Sequence, residues 1–160
     1  MNQTIRIANY HQQKDANAII GLLDHYAQDS MGGGEPLSEK VTQNLIPALQ
    51  EVDGAFSVLC FVGERPAGLV NCFQGFSTFK CQPLINIHDV IVRSDFRGQG
   101  ISLKMLECVQ HEAKERGCCK ITLEVLEKNE IAKSAYKRFG FEGYELMPKM
   151  GQALFWQKVL

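Results

Sequence analysis

"INIHDVIVRSDFRGQGIS", Ile85–Ser102, decides the fold. Together with Leu84, its first half carries too many apolar residues for a strand with one wet face. Leu84–Val92 is therefore expected in the middle of a sheet. A helix opens immediately afterwards. The first backbone N–H groups of a helix lack internal partners and carry partial positive charge. Glycine lets such amides come close to an anion. Gly98 and Gly100 stand where this can happen, and Arg97 adds a formal charge. The pattern is neither a Walker loop nor G-x-G-x-x-G. Two readings fit these residues alone: a pyrophosphate cradle, or a tight strand-to-helix turn with no ligand.

Outward from this stretch, Gly98–Arg116 reads as an amphipathic helix. Ile101, Met105, Cys108 and Glu112 lie on one line, Leu106, Val109 and Ala113 lie beside it, and Gly117 ends it. "KITLEVL" (Lys120–Leu126) is a second buried strand. Strand, helix and strand with short connections imply a right-handed crossover and parallel pairing. Upstream, "TIRIAN" (Thr4–Asn9) is a strand. A helix follows, with Ala16, Ile19, Ile20, Leu23 and Tyr26 on one face. A second helix is expected after the glycines at 32 to 34, N-capped by Ser38, with Val41, Leu45, Leu49 and Val52 as its stripe and Pro47 as a bend or break. "AFSVLCFV" and "AGLVNCFQGF", separated by "GERP", read as an antiparallel hairpin. "NEIAKSAYKRFG" is a short helix closed by Gly140. "FEGYELM" and "ALFWQKVL" read as two last strands. The expected architecture is α/β with a mixed sheet and helices on both faces, in one domain over residues 1–160.

Composition narrows the function classes. The chain has 160 residues, 45% hydrophobic and 22% charged, with a net charge of −1. Those values suit a globular domain and give no basic surface for nucleic acid. No apolar run approaches the ~20 residues that span a bilayer. The start "MNQTIRIANY" has no signal-peptide pattern, so a cytoplasmic chain is the expectation. The six cysteines form no C-x-x-C pair and have no ligand spacing with the four histidines. They read as reduced, buried thiols, and no metal site is expected.

Four spaced features together resemble the GNAT superfamily of acetyl-CoA-dependent N-acetyltransferases. The loop Arg97-Gly98-Gln99-Gly100-Ile101-Ser102 is similar to that family's R/Q-x-x-G-x-G/A pattern. It departs at Ser102, where the family prefers Gly or Ala. "INIHDVIV" precedes the loop as the family's acidic or polar strand does. "ITLEV" and then Asn129, Ala132, Tyr136, Gly140 and Phe141 match N-x-x-A-x-x-x-Y…G-F. The order of elements also fits. The strong match covers about Leu84 to Tyr144, and the motifs are closest to small-amine and diamine-type members. The implied fold is a central mixed sheet with splayed parallel strands.

The resemblance implies direct acetyl transfer from acetyl-CoA to an amine, with no metal. An ammonium cannot attack, and a primary amine has a pKa near ~10.4, so a base or water chain must take a proton. Tyr136 matches the family's acid, which gives a proton to the departing thiolate. His88, Asp89 and Glu124 are the candidate bases. His88 falls where diamine-acetylating members carry a glutamate, although an interior hydrogen-bonded histidine is an equal reading. Asp89 faces away from His88 and Asn86 unless a bulge intervenes. The family usually has such a bulge, which frees backbone N–H groups; Val90, Ile91 and Val92 are thus expected to hold the acetyl and pantetheine end. Arg97, Gly98, Gln99, Gly100, Ile101 and Ser102 would hold the pyrophosphate. Asn129 would bond the pantetheine arm, or cap its helix. Lys133, Lys137 and Arg138 would meet the 3′-phosphate, or line a solvated face.

The first two helices usually build the acceptor pocket in this superfamily, and "DSMGGGEPLSEK" (Asp29–Lys40) falls between them. Asp29, Glu35 and Glu39 around its glycines would repel a phosphate and favour a cation. The triple glycine therefore reads as a mobile connection over the amine. Expected acceptor residues are Asp29, Met31, Phe76, Phe79, Asn86 and His88, with Phe73 as core. A small-molecule amine is the favoured acceptor. A protein N-acetyltransferase and a non-catalytic acyl-CoA-binding regulatory domain are the alternatives. Family members often dimerise, so a homodimer is possible, with "ALFWQKVL" as an interface strand.

Overall fold

The computed structural model describes residues 2–30, 32–145 and 147–160. Its contacts divide into two compact units, Met1–Leu123 and Glu124–Leu160.

The first unit is a five-stranded sheet in sequence order, β1 (Gln3–Ile7), β2 (Phe56–Val62), β3 (Arg65–Ser77), β4 (Gln82–Val92) and β5 (Ile121–Leu123). β1 to β4 pair antiparallel, and β5 pairs parallel with β4. The expected hairpin, central strand and parallel crossover are all present. The crossover helix α3 (Ile101–Glu115) lies on one sheet face and buries Ile101, Met105, Leu106, Val109 and Ala113. The opposite face is covered by α1 (Gln13–Ala27) and α2 (Glu39–Glu51). There Ile19, Leu22, Ile46 and Leu49 pack on Leu59, Phe61, Leu69 and Ile91.

Three local expectations are corrected. Of the bend or break expected at Pro47, the break is excluded, since α2 runs through it from a Ser38 cap. Burial of Ile46 and Leu49 against the core outweighs the intrinsic cost of the proline. The α2 stripe is also rotated: Ile46 and Leu49 are buried, while Val41 and Val52 are exposed. Cys60 and Cys72 are buried, but Cys81 is exposed in the β3–β4 turn.

Asp15 was not anticipated as a core residue. It is fully buried at the start of α1 and takes a bidentate Arg6, at 2.6 and 2.7 Å, plus the Asn9 N–H at 2.8 Å. This fork ties β1 to α1 and holds the Asp15 carboxyl below its ordinary pKa, the Arg6 bond being the main cause.

In the second unit, α4 (Glu130–Phe139) is capped by the Asn129 side chain, which accepts from Ala132 N, and is closed by Gly140. The two expected final strands are reduced to one antiparallel bridge, Glu145 with Gln152. The preceding strand ends at Leu123, so Glu124 lies beyond it. Residues 153–160 form no strand, and Leu154, Phe155 and Trp156 are exposed. Apolar alternation misleads where no sheet edge takes the segment up.

Candidate active site

β3 and β4 lose register in the middle. Asn71 pairs with Asp89 and Cys72 pairs with Ile87, which leaves His88 as the extra residue of a β-bulge. The bulge resets the alternation. Ile87 stays on the α3 face with Cys72, whereas Asp89 joins Asn86, Asn71 and Phe73 on the α1 face. Asp89 therefore shares a face with Asn86, as only a bulge allows. His88 is exposed and meets the Phe73 ring edge-on, with centroids 5.6 Å apart.

β4 also leaves β5 at this point. Their ladder covers Ile85 to Ile87 against Ile121 to Leu123 and stops there. From His88 to Val92 that edge of β4 is paired with no strand among the described residues. The parallel ladder thus ends next to the bulge, where β5 stops. Val90 and Val92 are half-buried beside the opening, and the side chain of Ile91 belongs to the core.

The loop after β4 is held from behind. Phe96 is buried, with the Arg65 and Arg93 guanidinium groups over its ring at 4.7 and 6.0 Å. Asp95 receives both arginines. Arg97 donates from Nε to the Val92 carbonyl at 3.1 Å. Gly98 and Gly100 have φ of +78° and +73°, a region that side chains resist, and Gly100 is the N-cap of α3. Gly98, Gln99 and Gly100 are exposed, and Ser102 lies in the first turn of α3. The side chain of Ile101 is buried, so only its backbone N–H can serve an anion. The loop therefore offers amides and one guanidinium at a helix start, a chemistry suited to phosphate oxygens. Asp95 and Phe96 escaped sequence reasoning; their place between Arg93 and Arg97 was the available signal.

On the α1 side, Asp29 sits just past the helix and pairs with Arg97. Tyr26 is half-buried nearby. Burial, and then the charges of Asp89 and Asp29, push its phenol pKa up. Asp89 and Asp29, the latter paired with Arg97, thus both lie near enough to disfavour the Tyr26 phenolate. The segment after Asp29 is a hydrogen-bonded turn: Gly32 N donates to Asp29 O at 2.8 Å and Gly34 N to Ala27 O at 2.9 Å. A Cβ on Gly32 would lie 1.9 Å from the Tyr26 carbonyl oxygen, so glycine is required by close approach.

Some expected acceptor residues fall elsewhere. Strand alternation puts Phe76, paired with Pro83, on the sheet face opposite Asn86 and Asp89, and it is 59% exposed. Phe79 lies in the β3–β4 turn, fully exposed. Phe73 packs against the core as expected. Met31 lies outside the described residues. A groove of about 390 Å³ between α1 and α2, lined by Tyr10, Asn17, Thr42, Pro47 and Gln50 among others, contains none of the expected site residues.

In the second unit, Tyr136 on α4 is half-buried and meets the Phe141 ring edge-on at 5.9 Å. Lys133 is engaged locally, by Glu130 and by the Glu127 carbonyl, each at 2.8 Å. Lys137 and Arg138 are exposed, as is Glu124. Among the described residues, no group of three or more His, Cys, Asp or Glu side chains could hold a metal ion, and no helix is long and apolar enough to cross a membrane.

Comparison with known proteins gives the family directly. Residues 20–141 match the model of the acetyltransferase (GNAT) family. The chain belongs to that family. Among curated relatives, an uncharacterized N-acetyltransferase of Methanocaldococcus jannaschii is 34% identical over 61% of this chain and 43% of its own length. Thialysine N-epsilon-acetyltransferase of Sus scrofa is 32% identical over 68% of this chain and 58% of its own length. The matched part thus spans about half the length of these relatives. Solved structures share the fold: a probable acetyltransferase superposes with a TM-score of 0.82 at 16% identity, covering 98% of each chain. A transcriptional regulator from Bacillus halodurans does so with a TM-score of 0.75 at 24% identity, covering 91% of this chain and 99% of its own.

Proposed function

We propose that this chain is an acetyl-CoA-dependent N-acetyltransferase that acetylates a small cationic amine by direct attack in a ternary complex. The observation that carries this reading is the bulge at His88. At that residue β4 parts from β5, and a few residues further on the arginine-glycine loop starts α3. An open strand edge leading to a helix N-terminus suits a long ligand that ends in phosphates. The family match also runs across the junction of the two units, which supports one working domain over residues 1–160.

Acetyl-CoA supplies an activated thioester acetyl group. Gly98, Gln99, Gly100, Ile101 and Ser102 offer backbone N–H groups to its pyrophosphate, and Arg97 offers charge. The β4 edge from Val90 to Val92 bonds the pantetheine end, and Asn129 and Lys133 of α4 meet its arm and phosphates. Asp29, Asp89 and Asn86 receive the ammonium. His88, or Glu124, takes the proton that makes the amine nucleophilic. Tyr136 returns a proton to the thiolate, a role supported by its position in N-x-x-A-x-x-x-Y. Asp89 and Asn86 on one sheet face support a cationic acceptor, as does the similarity to a thialysine N-epsilon-acetyltransferase. Six free cysteines suit a reducing, cytoplasmic setting.

The test measures CoA release from acetyl-CoA with monoamines, diamines, amino acids and a peptide, alongside thermal stabilisation by acetyl-CoA. Turnover with a diamine or basic amino acid, abolished by Tyr136→Phe while acetyl-CoA still stabilises the protein, is expected. Stabilisation without turnover on any amine would reduce the chain to an acyl-CoA-binding domain.

A further inference from the structure

A row of polar side chains crosses the sheet beneath α1. Ser57, Asn71 and Asp89 are successive cross-strand partners on β2, β3 and β4. The neighbouring row on the same face is Leu59, Leu69 and Ile91, all buried. Ser57 is 0% exposed and Asn71 5%. Polar side chains in such a place cost stability unless every group is bonded.

They are bonded in one direction. Asn71 Nδ2 donates to Asp89 Oδ2 at 2.9 Å, and Ser57 Oγ donates to Asn71 Oδ1 at 2.7 Å. The Tyr10 hydroxyl lies 2.8 Å from Ser57 Oγ. Ser57 has one proton and spends it on Asn71, so Tyr10 is the donor at that step. A carboxylate oxygen only accepts, and an amide oxygen only accepts, so the Asn71 amide has one workable orientation. Without the bulge, the residue opposite Asn71 would be His88; with it, the partner is Asp89. The bulge and the polar row therefore act as one device.

We infer that Asn71 is a positioning residue of the amine site: it clamps Asp89 Oδ2 so that the carboxylate presents a fixed edge to the substrate ammonium, and Ser57 and Tyr10 fix the Asn71 amide in turn. This rests on the amine-acetyltransferase reading above. An amide does not pass protons along such a chain, so the row orients and does not relay. A fixed carboxylate loses less freedom when it meets a cation, which favours binding of the amine over binding of the thioester ligand.

The test uses the full chain and Asn71→Leu, which removes both amide bonds at similar volume. Loss of a hydrogen bond to a charged group predicts a fall of about tenfold or more in kcat/KM for the amine. The acetyl-CoA dissociation constant should stay within about twofold, because Asn71 acts through Asp89 alone. In an Asp89→Asn background, Asn71→Leu should add almost nothing, whereas additive losses, or an equal loss of acetyl-CoA affinity, would assign Asn71 to the scaffold and overturn the inference. Ser57→Ala covers the case in which Asn71→Leu does not fold, with a smaller loss on the same parameter. If the wild-type chain acetylates no amine, the functional reading fails, and crystal structures of Asn71→Leu or Ser57→Ala decide the positioning. A displaced Asp89 carboxylate supports it, and an unmoved one refutes it.

Discussion

The Arg97 guanidinium reaches the Asp29 carboxylate at 3.3 Å, which joins the loop ahead of α3 to the end of α1. The two glycine-rich segments of the sequence are thus electrostatic neighbours. In the proposed site one serves an anion and the other a cation, and they share this pair. Both side chains are partly solvated, so the pair is worth only about 0–1 kcal/mol.

A pyrophosphate that engages Arg97 competes with Asp29 for it. Asp29→Asn should therefore tighten acetyl-CoA slightly, by about twofold to fivefold, while raising KM for a cationic amine. Titration calorimetry with acetyl-CoA and steady-state kinetics with the amine check the two halves separately. Weaker acetyl-CoA binding in Asp29→Asn would contradict the competition.

The glycines separate the two loops by experiment. Gly100→Ala forces a side chain into a left-handed φ at the α3 N-cap, at about 1–2 kcal/mol, and should weaken acetyl-CoA by about tenfold. Gly32→Ala drives a methyl into the Tyr26 carbonyl and should instead lower kcat/KM for the amine, with acetyl-CoA affinity nearly kept. The opposite pairing of effects would show that the loop roles are exchanged.

The Arg6–Asp15 fork predicts how stability depends on pH. Asp15 titrates below its ordinary value of 3.8, so the folded state holds that carboxyl ionised more strongly than the unfolded chain does. Its contribution is complete above that value and is lost as pH falls through the lower folded pKa. Asp15→Asn should cost about 1–3 kcal/mol at neutral pH by denaturant unfolding, with the difference from wild type shrinking in acid. A deficit that does not change with pH would mean the cost comes from packing instead.

Much of this was legible in the residues. Apolar excess marked β4 as internal, and Ser38, Asn129 and Gly140 marked helix ends by local chemistry that tertiary structure left in place. The site was legible in part. Alternation puts Asn86 on one face of β4, but the phase of Asp89 depends on a bulge, which is a register between two strands and has no local signature. Phe76 lies three residues from Phe73 in one regular stretch of β3, so alternation alone sets it on the opposite face. Asn71 and Ser57 carry no sequence signal of their own, since only the pairing of β2 with β3 and of β3 with β4 aligns them. The burial of Asp15 has no local signal, because it depends on Arg6 arriving from β1.

Product analysis tests the central claim most directly. The full chain is incubated with acetyl-CoA and an equimolar mixture of a monoamine, a diamine, an amino acid and a lysine-containing peptide, and each is weighed by mass spectrometry. The account predicts one added acetyl group on the small cationic amine and none on any acceptor with Tyr136→Phe. Acetylation confined to the peptide, or no acetylated product despite bound acetyl-CoA, would contradict it.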